Sequence, residues 1–217
     1  MIMRVYQQAQ KSKLLDKVVV ATDDKRIFLH CEQNNANVIM TATHHQSGTD
    51  RCAEALELID EHFDIVVNIQ GDEPFIQPEL ISELCQVFLY ENVGEAPEIA
   101  TLVSPLKNIE DSENPNVVKA VFNVNKKALL FSRSPIPFQR NKNEEITYYK
   151  HIGLYAFRTE ILKKLVKLPV SNLEKIESLE QLRWLENGYE IYVTTTNHET
   201  HSIDTPEDLE LVKKLYL

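Results

Sequence analysis

Residues 65–74 read IVVNIQGDEP, and the fold turns on how that stretch is understood. Its first half is β-branched and apolar almost throughout, which is the composition of a strand buried on both faces. The run then stops on Gly71, Asp72 and Pro74, residues that end strands and open turns. Helical patterns stand on either side. Before it, residues 49–61 place Cys52, Ala55, Leu56 and Ile59 on one helical stripe. After it, residues 77–90 repeat the signal with Ile81, Leu84, Cys85 and Phe88, and Pro78 suits a first helical position. A buried strand between two amphipathic helices is the repeating unit of an α/β protein.

The alternation continues outward. Residues 17–22 (KVVVAT) form a second strand pattern, followed by a helix over 23–33 that Asp23 or Asp24 would cap. Residues 99–103 add a strand, and 117–125 with 128–134 flank Lys126 and Lys127 as a hairpin. A strand over 148–157 precedes helices over 159–167 and 172–187, the second capped by Asn172 and stopped by Gly188. Residues 190–195 read as a strand and 205–217 as a closing helix. The expectation is one α/β domain over residues 1–217 with a largely parallel sheet. Within it, residues 117–158 form a hairpin-bearing insertion. Residues 1–13 read as a helix with no strand ahead of it.

Composition narrows the function. The chain has 217 residues, 43% of them hydrophobic and 26% charged, a soluble globular balance. A net charge of −10 argues against a general grip on nucleic acid. No apolar run approaches the roughly 20 residues of a membrane span, and the N-terminus lacks a signal-peptide core. Three cysteines, none in a C-x-x-C pair, point to a reducing, cytoplasmic setting without structural zinc. Only five glycines are present, and neither common glycine-rich phosphate motif occurs.

Several positions could carry chemistry. In open α/β sheets ligands gather beyond the carboxyl ends of strands, where Gln70, Gly71 and Asp72 fall. Asp72 offers a hard oxygen for Mg²⁺, although Gly-Asp-Pro is also an ordinary turn. Residues 44–51 (HHQSGTDR) precede a helix; Ser47 or Thr49 could cap it, and Arg51 could meet an anion at its N-terminus. His151 and Tyr155 share one face of their strand, and Arg133, after an apolar run, needs a partner. Glu180 leans toward the apolar side of its helix beside Gln181, so its carboxylate also needs one. Asp204 lies just outside a capping box formed by Thr205 and Asp208 and is free to bind a ligand.

Taken together, the segments IVVNIQGDEPFI, HHQSGTDR, NPNVVKAV, LLFSRSPIPF, KHIGLYAFR, IESLEQLR and SIDTPEDLEL resemble the 3-deoxy-manno-octulosonate cytidylyltransferase (CMP-KDO synthetase) family over essentially the whole chain. The resemblance implies a three-layer α/β/α, Rossmann-like nucleotidyltransferase domain that transfers CMP from CTP to KDO for lipopolysaccharide assembly, with its insertion at a homodimer interface. It implies Mg²⁺ on Asp72 and Asp204. Gln70, Arg133, His151, Tyr155, Glu180 and Gln181 fall around the sugar, and Thr22, Asp23, Ser47 and Arg51 around the nucleotide. The family pattern P-A-R-x-x-S-x-R-[LF]-P-G-K, a phosphate-binding loop after a first strand, has no match, which places both ahead of residue 1. Two alternatives stand beside this reading. One is an inactive truncated homologue that keeps sugar or metal binding or dimer contacts; the other is a cytidylyltransferase for a sialic-acid-type sugar.

Overall fold

The computed structural model describes residues 1–89 and 97–198. Helix α1 (Ile2–Ala9) is followed by strand β1 (Val20–Thr22), helix α2 (Lys25–Gln33) and strand β2 (Val38–Met40). Then come α3 (Gly48–Leu58), β3 (Ile65–Asn68), α4 (Pro78–Gln86) and β4 (Ile99–Pro105). A 3-10 turn (Ile109–Glu113) leads to the hairpin β5 (Lys119–Phe122) and β6 (Ala128–Ser132), and then to the long strand β7 (Tyr149–Arg158). Helices α5 (Thr159–Leu165), α6 (Asn172–Glu177) and α7 (Gln181–Glu186) precede strand β8 (Ile191–Thr195). Asp204 and the helix expected over 205–217 lie outside the described residues.

Strand β7 organises the larger, six-stranded sheet, whose order is β6-β5-β7-β4-β8 with β3 also on β7. Strand β4 takes one edge of β7, while β5 (at Lys150) and β3 (from Tyr155 to Arg158) divide the other. The largely parallel sheet expected from sequence does not form. Strands β3 and β4 both run against β7, and in this sheet only β4 and β8 pair in parallel. The reason is the hairpin. The turn between β5 and β6 reverses the chain, and β7 keeps the sense of β6, so it enters between β3 and β4 antiparallel to both. Strands β1 and β2 pair in parallel as a separate two-stranded sheet.

Helices cover both faces of the large sheet. On one, Val5 of α1 and Leu80, Ile81 and Leu84 of α4 pack on Ala100, Leu102, Ile152 and Leu154. On the other, Ala53 of α3, Leu162 of α5 and Trp184 of α7 pack on Ile99, Val103, Tyr155, Phe157 and Val193. This is the expected three-layer α/β/α arrangement. The hairpin shares that second core through Ala120 and Phe131. All three cysteines are free thiols, and among the described residues no helix is long and apolar enough to cross a membrane.

Local signals explain most boundaries. Pro78 occupies the first turn of α4, and Gly188, with φ of 81°, stops α7. Residues 172–187 are not one helix, however. Ser171, not Asn172, caps α6 in a capping box with Glu174, and Ser178 breaks the run in the left-handed region at φ 52°. The break lets Leu179 turn into the core and sets Glu180 at the start of α7.

Candidate functional site

The site is built where the first turn of α3 meets the start of α7. Ser47 caps α3: its Oγ accepts from the Asp50 N–H at 3.1 Å and donates to Glu180 Oε1 at 3.0 Å. Thr49 Oγ1 donates to Glu180 Oε2 at 2.7 Å. The partner that the Glu180 carboxylate requires is therefore the N-terminus of α3, a favourable place for negative charge. Its side chain is only 24% exposed, and burial pushes its pKa up against the two hydroxyl hydrogen bonds. Arg183, 3.8 Å away, is committed elsewhere, to Glu174 through contacts of 2.8 and 2.5 Å.

Gly48 allows the close approach of α3 to the end of β3. A Cβ there would stand 3.0 Å from Gln70 Nε2 and 3.3 Å from Asn68 Nδ2. Gln70 Nε2 in turn donates to Asn68 Oδ1 at 3.2 Å. Asn68 is buried, and directly across the ladder from it stands Tyr155.

His151 and Tyr155 do face the same way, but by a route the spacing does not reveal. Four residues of regular strand span roughly 13 Å, yet the two rings lie 5.3 Å apart between centroids. The register on β4 jumps between them: Leu102 pairs with Ile152 and Thr101 with Tyr155, so β7 bulges at Gly153 and Leu154. Thr101 braces the bulge, its Oγ1 lying 2.9 Å from the Leu154 carbonyl and 3.0 Å from His151 Nε2. With Thr101 donating to the carbonyl, His151 donates from Nε2 and keeps Nδ1 as an acceptor. Burial, and then the Lys150 ammonium, lower the His151 pKa to about 3, so the imidazole is neutral at physiological pH.

Three buried polar atoms near this cluster have no hydrogen-bond partner among the described residues: Tyr155 Oη, Gln181 Nε2 and Trp184 Nε1. The Trp184 and Tyr155 rings meet edge-to-face at 5.0 Å, and Gln181 lies one turn before Trp184 on α7. All three atoms can donate, and buried donors call for acceptors. Burial also pushes the Tyr155 phenol well above its usual range, with Glu180 adding to it. These donors therefore suit oxygen acceptors.

Other sequence-derived candidates fall at the rim. Arg133 spends Nε on the Glu177 carbonyl (2.7 Å), one Nη on that of Pro115 (2.9 Å) and the other on that of Ser178 (3.4 Å). A guanidinium has five N–H groups, so two remain without a partner among the described residues. Thr22, Asp23 and Arg51 come together at the carboxyl end of β1. Arg51 reaches Asp23 at 3.1 Å and Thr41 at 2.6 Å, and Thr22 Oγ1 accepts from the Asp24 N–H at 3.1 Å. Asp72 sits in the turn that follows β3. Among the described residues no three His, Cys, Asp or Glu side chains cluster as a metal site. Mg²⁺ held by one or two carboxylates plus phosphate oxygens needs no such cluster, so Asp72 fits that ion's habits. Residue type and spacing do not single out Asn68, Thr101 or Trp184 as site residues. A buried asparagine two residues from Gln70 inside an apolar strand was the available signal for the first.

Comparison with known proteins gives this arrangement a family. The cytidylyltransferase family profile matches residues 1–192. A 3-deoxy-manno-octulosonate cytidylyltransferase of Parabacteroides distasonis is 51% identical over 219 residues, covering 97% of this chain and 85% of that protein. The chain belongs to the 3-deoxy-manno-octulosonate cytidylyltransferase family. A Bacteroides thetaiotaomicron member is 52% identical over 96% of this chain and 84% of its own length. Among solved structures, a CMP:2-keto-3-deoxy-manno-octonic acid synthetase complexed with CTP superposes with a TM-score of 0.91 at 38% identity, over 99% of this chain and 86% of that one. A 4-diphosphocytidyl-2C-methyl-D-erythritol synthase from Anaerococcus prevotii shares the fold alone, with a TM-score of 0.63 and 14% identity over 99% of this chain and 87% of that one.

Proposed function

We propose that this chain transfers CMP from CTP to the anomeric hydroxyl of 3-deoxy-D-manno-octulosonate and releases pyrophosphate, a cytoplasmic step toward lipopolysaccharide. The observation that carries the reading is the trio of unpartnered donors, Tyr155 Oη, Gln181 Nε2 and Trp184 Nε1, near Glu180. Such a set of donors suits a polyhydroxy acid, and the chain is half identical to enzymes named for that sugar.

The residues divide the work. Gln181, Tyr155 and Trp184 donate to sugar oxygens, while Glu180 and the free Nδ1 of neutral His151 accept from hydroxyls. The two remaining N–H groups of Arg133 suit the sugar carboxylate. Gln70, held against Gly48, positions the sugar from the β3 side, and Thr22, Asp23, Ser47 and Arg51 flank the nucleotide. Phosphoryl transfer of this kind asks the protein chiefly for alignment of the attacking hydroxyl with the α-phosphorus. Asp72 and Asp204 would hold Mg²⁺, which when bound would supply charge neutralisation at that phosphate. A homodimer joined along the hairpin edge would cover Leu129, Leu130 and Phe138, the last 86% exposed.

The decisive assay is pyrophosphate release. Turnover should require CTP, the sugar and Mg²⁺ together, and Asp72→Ala should lower kcat by about 100-fold or more. Activity indifferent to Asp72, or faster with a sialic-acid-type sugar, would overturn the reading.

A further inference from the structure

A buried lysine grips Arg133 from both ends. Lys119 lies in β5, opposite Ser132 of β6 on one side and Lys150 of β7 on the other. It is fully buried, and its ammonium donates to the carbonyls of Asn114 (2.9 Å), Val117 (2.6 Å) and Arg133 (2.5 Å). Three N–H groups meet three acceptors, so none is left for a ligand. Burial lowers its pKa, against the pull of the Glu113 and Glu177 carboxylates. Packing alone does not call for such a residue, because an apolar side chain of similar length would fill the space with no charge to desolvate. What the three carbonyls have in common is Arg133.

One grip is direct: Lys119 binds the Arg133 carbonyl, immediately after β6. The other runs through a turn. Asn114, Pro115, Asn116 and Val117 close a β-turn, in which the Val117 N–H reaches the Asn114 carbonyl at 3.1 Å. The Asn116 N–H reaches Asn114 Oδ1 at 2.9 Å, and Pro115 stands at the position where such turns favour proline. Lys119 holds the carbonyls of the first and last residues of this turn. The Pro115 carbonyl between them receives the Arg133 guanidinium at 2.9 Å. One ammonium thus fixes both the root of the arginine and the turn that receives its tip. An arginine side chain rotates about several bonds, so its fork is aimed only when root and tip are both held.

Given the proposed assignment of the sugar carboxylate to Arg133, we infer that Lys119 is a positioning residue for the sugar: it aims the unpartnered N–H groups of the Arg133 guanidinium at that carboxylate. A bidentate guanidinium–carboxylate pair is sensitive to angle, whereas the sugar hydroxyls meet other residues. Loss of the lysine should therefore be felt through the carboxylate.

Titration calorimetry of the full chain compares the sugar acid with its carboxamide, which lacks the charge. Lys119→Met should weaken binding of the acid about tenfold and of the carboxamide less than about twofold. In an Arg133→Ala background the same change should cost the acid less than about twofold, because the group it acts through is gone. Circular dichroism checks that each variant folds, and Lys119→Gln, which keeps two donors, takes the place of a methionine variant that does not. Pro115→Gly loosens the turn at an exposed position without touching the lysine, and should weaken the acid severalfold with the same selectivity. Equal weakening of acid and carboxamide would overturn the inference, as would an equal loss in the parent and Arg133→Ala backgrounds. Either would make Lys119 a support of the fold alone. Arg133→Ala by itself tests the assignment beneath. Unchanged affinity for the acid there overturns the assignment and the inference together, whereas a loss there with no effect of the Lys119 change overturns the inference alone.

Discussion

The neutral state of half-buried His151 should be measurable as a pH dependence of stability. An unfolded histidine takes up a proton near 6.5, whereas the folded His151 does so only at about 3. Above 6.5 both states are neutral and the full stability is present. Below it the unfolded chain gains a proton that the folded chain refuses, so stability falls until the pH reaches the folded value. At about 1.4 kcal/mol per pH unit, the penalty reaches about 2 kcal/mol at pH 5. His151→Phe keeps an aromatic ring against Phe131 and Tyr155 but cannot titrate. It should cost about 1 kcal/mol at pH 8 through the lost Thr101 hydrogen bond. Between pH 8 and pH 5 it should then lose about 2 kcal/mol less than the parent. Urea unfolding, followed by fluorescence of the single tryptophan, Trp184, measures both proteins. Carboxylates common to the two cancel in the comparison. Parallel stability curves for parent and variant would refute the reasoning, because they would mean that His151 titrates alike in the folded and unfolded chain.

Other substitutions probe the supports of the site. Burial raises the Glu180 pKa, so ionising it opposes folding as pH rises through the carboxylate range. Glu180→Gln should therefore melt within about 1 kcal/mol of the parent at pH 7 while cutting turnover, and Glu180→Ala, which strands the Ser47 and Thr49 hydroxyls, should lose about 2 kcal/mol or more. Gly48→Ala should push the Gln70 amide aside and raise the KM for the sugar several-fold with little change in melting temperature, checked by steady-state kinetics and calorimetry. Lys119 is fully buried, and its ammonium donates to the carbonyls of Asn114, Val117 and Arg133 at 2.9, 2.6 and 2.5 Å. Lys119→Met should cost about 2–4 kcal/mol in chemical denaturation because three acceptors lose their donor.

Periodicity and caps carried most of the fold. The stripes of α3 and α4, Pro78 in its first turn and Gly188 at the end of α7 are local signals, and local physics obeyed them. Strand sense was not legible, because IVVNIQ looks the same whether its neighbour runs with it or against it; the reversal in the β5–β6 turn, kept by β7, decides. Nor could the sequence show the two-residue bulge in β7, since Gly153 is equally at home in a regular strand. Ser178 concealed the break in the helix, because serine seldom adopts left-handed backbone and here the burial of Leu179 enforces it. For the site, the demand of Glu180 for a partner was readable from its place on the helix stripe. That the partner is the N-terminus of α3, more than 130 residues away in the chain, is a property of tertiary structure alone.

The contacts around Glu177 have a mechanical meaning. Ser132 Oγ reaches one of its carboxylate oxygens at 2.6 Å, the Arg133 N–H reaches the other at 2.9 Å, and the Arg133 guanidinium holds its carbonyl. The outer end of the hairpin and the joint between α6 and α7 are thereby riveted into one rigid piece. Glu180 lies three residues past the rivet. A displacement of the sheet's outer edge would therefore reach the Glu180 carboxylate through polar linkages before the apolar core deforms, with the edge strand as its lever arm.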